Sequence, residues 1–358
     1  MRVLPACLVA LVAAAVPLLG RQVEVLQSAR GIPAHIAGMF QEPIGFQQTA
    51  SGQYFVFDRR AHAIYSIDRE RTTATKLVSI GPEPGRLLGP TAFDTSPNGL
   101  MAVADAPNGV ERIQFFNEKG EKTGGFTLPG RALPRVTLGS LVLSGAGSLQ
   151  FTGRSILMNQ PETGGLITEY GLAGTPLRTF GAFRRSPDDE DRDLRLAFNV
   201  GVPLADPTGG FYFVFQTGEP RFRKYTADGR LVFERAVQGR ELDDLATVAP
   251  NTWPRREIDG ERLPLVPPVV RTAAVDPVGR LWISFVVPFT YVYDRDGDLV
   301  RTVQFKGAEV ISPQSLSFAS PTRLLVTPGL YEFGVDGRDA SDRAGGHFFI
   351  DAASAWRR

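Results

Sequence analysis

The feature that most constrains this chain is an aromatic residue placed four positions before a glycine, repeated along its length. The copies are Phe116-Asn-Glu-Lys-Gly120, Tyr170-Gly-Leu-Ala-Gly174, Tyr225-Thr-Ala-Asp-Gly229, Tyr293-Asp-Arg-Asp-Gly297 and Phe333-Gly-Val-Asp-Gly337. Each follows a short β-rich run, and several precede another. That pattern reads as a hairpin whose glycine takes the positive-φ position and whose aromatic packs on one sheet face. A second element, a Pro/Gly turn between apolar runs, precedes each hairpin. Ala205-Asp-Pro-Thr-Gly209 and Val275-Asp-Pro-Val-Gly279 match well, and looser copies include Ala50-Ser-Gly52, Ser96-Pro-Asn-Gly99, Leu143-Ser-Gly-Ala-Gly147 and Phe318-Ala-Ser-Pro321.

Together the two elements give a unit of strand, tight turn, strand, loop, strand, glycine turn and strand. The chain is expected to be all-β, a six-bladed β-propeller of four-stranded antiparallel blades opening near residues 44, 90, 137, 200, 271 and 313. The last unit has three strands before the tail. Gln22–Gln27 is expected to supply its fourth, which would close the ring and remove free sheet edges. The abundance of turn formers and aromatics (Gly 38, Pro 27, Phe 24) agrees with many short strands. Amphipathic windows of helical length are almost lacking, which sets a βαβ architecture aside.

Residues 1–20 read as a signal peptide, with Arg2 before the apolar run Leu8–Leu19 and a cleavage position near Gly20. The expected organisation is signal peptide 1–20, propeller 21–337 and tail 338–358, exported to the periplasm or secreted, with no membrane span after cleavage. Cys7, the only cysteine, lies inside the signal. The mature chain therefore offers no disulfide, thiolate or cysteine-ligated zinc. A net charge of +1 gives no field that would favour nucleic acid.

One unit supports a closer comparison. Gly81-Pro-Glu-Pro-Gly85-Arg-Leu-Leu-Gly-Pro90-Thr-Ala-Phe93, then Gly99, Val103-Ala-Asp105 and Arg112-Ile-Gln-Phe-Phe116, resembles an NHL-type repeat. The resemblance implies a six-bladed propeller and no particular activity. The starts of the first strands, at the mouth of such a ring, hold Glu42, Asn199, Arg271 and Gln314. Glu42-Pro43 and Asn199 also have some likeness to the calcium ligands of the regucalcin and gluconolactonase group. The third ligand position falls on Arg271, and a guanidinium cannot ligate calcium. Zinc chemistry like that of the amidating propeller enzymes would need converging histidines, and His35, His62 and His347 are scattered. A Gly-x-Ser-x-Gly elbow is absent from the sequence. Asp294-Arg-Asp-Gly-Asp298 falls on the repeated turn and reads as an Asp-Gly hairpin. Asp188–Asp193 reads as a solvated acidic loop.

The segment 240–270 is the most individual part, with Trp253-Pro-Arg255-Arg256 and Pro264-Leu-Val-Pro-Pro268. Long loops in a compact fold are often binding surfaces, and Trp and Arg dominate interface energetics. The expected function is therefore a monomeric, exported, non-enzymatic scaffold without cofactor, binding a protein, peptide or glycan through one face. Its contact residues would be Glu42, Asn199, Arg271, Gln314, Trp253 and Arg255. The alternative is a metal-dependent hydrolase of lactonase or esterase type at the channel mouth.

Overall fold

The computed structural model describes residues 23–335 except 97, 130–133, 139–140, 145–146, 243–252 and 259–260. Residues 1–20, expected as a signal peptide, the tail with His347, and Gly337 of the last repeat copy lie outside the described residues.

The fold is all-β and propeller-like. The first array pairs Pro43–Gln48, Tyr54–Asp58, Ala63–Ile67 and Ala74–Val78 in sequence order. The second pairs Ala92–Thr95, Met101–Asp105, Arg112–Phe116 and Lys122–Thr127. The third comprises Leu149–Phe151, Ser155–Met158, Ile167–Gly171 and Pro176–Phe180, and the fourth Gly201–Ala205, Phe211–Phe215, Arg221–Tyr225 and Leu231–Ala236. A nine-stranded sheet holds the fifth array (Val270–Val275, Leu281–Phe285, Thr290–Tyr293, Leu299–Lys306) and the sixth (Ser315–Ser320, Arg323–Thr327, Tyr331–Gly334). All pairings within the arrays are antiparallel.

The strand Glu24–Gly31 joins the last two arrays. Glu24–Gln27 runs parallel to Val303–Lys306, and Ser28–Gly31 runs antiparallel to Tyr331–Phe333. The stretch assigned from sequence to the last array thus lies mostly on the fifth, and the next four residues pair with the sixth. The other shift is in the third array. Its first strand is Leu149–Phe151, turning at Thr152-Gly153-Arg154, not a strand entering the Gly145–Gly147 turn. Pro134–Leu138 and Leu141–Ser144 form a separate two-stranded hairpin.

The core lies between arrays. Second strands such as Tyr54–Asp58, Met101–Asp105, Phe211–Phe215 and Leu281–Phe285 are buried at every residue, because each has a neighbouring array on both faces. One cluster packs Phe55, Phe57 and Ile64 on Met101, Val103 and Phe116. Equivalent clusters join the second array to the third, the third to the fourth, and so on to the sixth. A further cluster packs Leu325 and Leu330 of the sixth on Phe46, Tyr54 and Val56 of the first.

This arrangement explains the repeat. Phe116, Tyr170, Tyr225, Tyr293 and Phe333 each enter the cluster shared with the preceding array. The glycine is needed twice over. Gly120, Gly174, Gly229 and Gly297 have φ between 79° and 85°. A Cβ would also meet the preceding array's outer strand, 2.7 Å from Leu77 at Gly120 and 2.6 Å from Phe126 at Gly174. The first array carries a copy hidden from the sequence pattern, Ile67-Asp-Arg-Glu-Arg71. Ile67 takes the core place, and Arg71 sits at φ 58° where the others have glycine. The Asp68 carboxylate accepts from Thr72 Oγ1 (2.6 Å) and the Thr72 backbone N (2.8 Å), the same type of turn bond that Asn117 and Asp294 make in the glycine-bearing copies.

Candidate functional site

Strand alternation sorts the connections onto two edges. The first-to-second and third-to-fourth turns share one edge. The second-to-third loops and the connections into each first strand share the other. Side chains hold neighbouring arrays in like orientation. Gln47 Nε2 donates to Asp94 Oδ1 (2.9 Å), the Phe151 N–H donates to Asp94 Oδ2 (2.7 Å), and the Ala205 N–H donates to Gln150 Oε1. All these residues lie near the ends of their first strands. Asp94, hemmed in by the first strands of three arrays, has its carboxyl pushed up to about 6, burial being the main cause.

The turn edge is uniform and tightly tied. Ser51 Oγ donates to Glu118 (3.0 Å), Arg178 Nη1 to Ala227 O (2.6 Å) and Lys224 Nζ to Arg295 O (3.1 Å), each between successive arrays. The Asp294–Asp298 segment lies here. Asp294 Oδ1 accepts from the N–H groups of Asp296 (3.0 Å) and Asp298 (2.9 Å), the geometry of an Asp-Gly turn.

The loop edge is individual. It carries helix α1 (Ala34–Ala37), helix α2 (Arg192–Phe198), short 3-10 turns and the 240–270 insertion. A polar side chain closes the second strand of several arrays by binding the loop that leads into a first strand. Asp58 accepts from the N–H groups of Gln41 (2.7 Å) and Glu42 (3.0 Å). Asp105 takes both the Leu88 N–H (3.0 Å) and the Arg112 guanidinium (Nε, 2.7 Å). Arg112 also donates to Pro82 O and Arg86 O, and Gln114 Oε1 accepts the Gly85 N–H (2.9 Å). The residues that made this unit distinctive in the sequence are therefore wired to one another. Asn159 accepts from the Gly201 N–H (3.0 Å) and donates to Leu166 O (2.8 Å).

The largest feature on this edge is built on α2. Asp191 caps it, accepting from the Leu194 N–H (3.1 Å), so the acidic run expected as a solvated loop includes a helix start. Leu194 and Phe198 face the insertion. Trp253 packs edge-on to Phe198 with ring centroids 5.3 Å apart, and Val266 completes the cluster. Arg255 forms an ion pair with Asp191, approaches Asp193 (3.8 Å) and donates to Arg262 O (2.7 Å), across the hairpin Arg255–Ile258/Glu261–Pro264. The insertion is docked at its other end too. The Val269 N–H donates to Gln216 O (2.7 Å), and Thr217 bridges Pro268.

Beneath α2 lies a group that the sequence did not reveal. Arg184 donates to Phe198 O (2.9 Å), Glu219 O (2.8 Å) and Thr217 O. Its guanidinium lies 4.4 Å from the Phe215 ring centroid. Burial lowers its pKa to about 10, which leaves it cationic at neutral pH. A cation bound to backbone carbonyls and an aromatic face leaves no trace in sequence spacing, because its partners are main-chain atoms.

The structure sorts the six residues expected at the site. Asn199 is fully buried, accepting the Arg184 N–H (2.9 Å) and donating to Arg195 O (2.8 Å). Glu42 is held by Arg59 through both carboxylate oxygens. Trp253 and Arg255 dock the insertion on the helix that Asn199 ends. Arg271 and Gln314 are exposed, in the fifth and sixth arrays, whose first strands are in contact. Arg271 sits at a β-bulge between Val270 and Thr272. His35 lies in α1 and His62 in the second-to-third loop of the first array. Among the described residues no group of three or more His, Cys, Asp or Glu side chains is placed to hold a metal ion. Nor is any helix among them long and apolar enough to cross a membrane.

No family model matches the chain, and no curated protein matches it. Solved structures with some similarity include a streptogramin B lyase (12% identity, 81% of this chain and 92% of that one, TM-score 0.49). Others are the PQQ-bound aldose sugar dehydrogenase of Streptomyces coelicolor (10%, 86% and 97%, 0.49) and BamB of Moraxella catarrhalis (12%, 81% and 83%, 0.44). At such scores and identities the likeness carries no argument about what this chain does.

Proposed function

We propose that this protein is an exported, non-enzymatic binding scaffold that recognises a protein, peptide or glycan through its loop edge. The observation that carries the reading is the asymmetry between the two edges. One is made of repeated tight turns; the other presents a long insertion pinned to α2 by Trp253 and Arg255. A docked insertion presents its surface at a lower ordering cost than a free loop would. Six blades of NHL type, closed by Glu24–Gly31, are the architecture we assign. It is supported by the chain of inter-array clusters that returns from the sixth array to the first, and by the wiring around Asp105 and Arg112. Export rests on the apolar segment within residues 1–20.

The test is a screen of the mature chain, residues 21–358, as a monomer on peptide and glycan arrays. It is repeated with the hairpin 255–264 replaced by a short Gly-Ser link, and with Lys119→Ser on the turn edge. The reading expects a ligand whose binding falls at least about tenfold without the hairpin and is unchanged by K119S. A ligand indifferent to the hairpin and sensitive to K119S would overturn it.

A further inference from the structure

Within the first strands of the arrays, Asp94 and Arg271 are the charged residues. Asp94 has a hydrogen bond on each oxygen. Arg271 is different. Its backbone is fixed: the Val270 N–H donates to Gln216 O (3.1 Å), and Arg271 O accepts from Gln216 Nε2 (3.4 Å). Its side chain is exposed and has no hydrogen bond or ion pair among the described residues. The bulge at this position leaves Arg271 out of the pairing with the second strand, and bulges commonly re-aim a side chain. Gln314, at the entry to the neighbouring first strand, is also exposed, while its own N–H is tied to Thr327 O (2.8 Å). The connection Val286-Val-Pro-Phe289, on the same edge of the same array, is half-buried and apolar. A fixed backbone carrying a free guanidinium, an amide and an apolar border suits a carboxylate with an apolar neighbour.

We infer that Arg271 and Gln314 form a carboxylate-recognising pair for a peptide, the carboxylate engaging the Arg271 fork and an adjacent apolar side chain resting on Val286–Phe289. The inference rests on the binding reading above and names the chemistry it would recognise. The polar complement is small and the border apolar, which favours a peptide acid over a sugar acid.

The test uses arginine-selective modification by phenylglyoxal, read at Arg271 by peptide mass spectrometry, together with calorimetry. The probes are N-acetyl-Val-Phe as free acid, its C-terminal amide, and glucuronate. The expected result is that the free acid slows modification of Arg271 at least about fivefold and the amide does not. Arg271→Gln abolishes calorimetric binding of the acid, and Arg271→Lys keeps part of it, since an ammonium offers charge without the fork. Both variants keep the wild-type melting temperature because the side chain is exposed. Equal protection by acid and amide, protection by glucuronate alone, no protection at millimolar acid, or an Arg271 unreactive in the free protein would each overturn the inference. An array ligand that survives R271Q but is lost with the hairpin 255–264 would overturn it while leaving the binding reading intact.

Discussion

The turn edge and the loop edge are made by the same strands and obey different rules. On the turn edge one solution recurs: a glycine at positive φ pressed against the preceding array's outer strand, and an aromatic sunk into the shared core. On the loop edge each connection is solved separately, by Asp58, Asp105, Asn159, or Arg184 under α2. Steric repetition fixes the first edge, and buried polar contacts of long sequence separation fix the second. The first needs only a residue type at a spacing. The second needs particular partners.

Substitutions can break this contrast. The largest loss is expected at Gly120→Ala. The new Cβ would sit 2.7 Å from Leu77 Cβ and 2.9 Å from its carbonyl oxygen, at φ 79°. A cost of about 3 kcal/mol is expected in urea unfolding. Arg184→Leu should come close, at about 2–3 kcal/mol, because it orphans the carbonyls of Phe198, Thr217 and Glu219. The two variants should differ in where they act. Hydrogen exchange should show G120A weakening the first two arrays and R184L weakening α2 and the insertion.

A smaller effect tests the first-strand ties. The folded pKa of Asp94, about 6, lies above its unfolded value of 3.8. Between those values the unfolded chain loses its proton first, so this group's contribution falls as pH rises from about 4 to 6 and stays low above that. Asp94→Asn removes that dependence. The stability difference between wild type and D94N should therefore shift by about 1–2 kcal/mol in favour of the variant on going from pH 4.5 to 7, read from urea midpoints. A constant difference would contradict the raised value.

The smallest effects have opposite signs. Arg71→Gly relieves a non-glycine residue at φ 58° and should stabilise by up to about 1 kcal/mol. Arg255→Ala removes a partly exposed ion pair and should cost under about 1 kcal/mol globally. Its effect should concentrate in faster exchange across the hairpin 255–264. An R255A loss as large as that of R184L would mean that the insertion is part of the core of the fold.

The same contrast explains what the sequence could be read for. The arrays were readable because the aromatic and glycine positions answer to local sterics that repeat. The first array's copy escapes the pattern because Ile67 stands in the aromatic's place and Arg71, at φ 58°, in the glycine's. The third array starts later than expected because Gly145-Ala-Gly147 resembles in sequence the turn that the chain makes at Gly153. Helix α2 escaped because Arg192–Phe198 is too short for helical periodicity to stand out. At the site, Asn199 and Glu42 had the residue types of ligands, but Arg184 and Arg59 claim them. Nothing in their spacing announces that. Arg271 and Gln314 are readable as residues at the starts of first strands; the exposure of Arg271 coincides with a bulge that the spacing does not announce.

The most direct test of the central claim, that recognition belongs to the loop edge, is a matched pair of charge reversals assayed on one array-identified ligand. Arg271→Glu lies on the loop edge, and Arg230→Glu lies on the turn edge, where Arg230 is exposed beside Asp228. With both variants folded by melting temperature, the account predicts that R271E loses binding and R230E retains it. Retention by R271E with loss in R230E would place recognition on the turn edge and contradict the account.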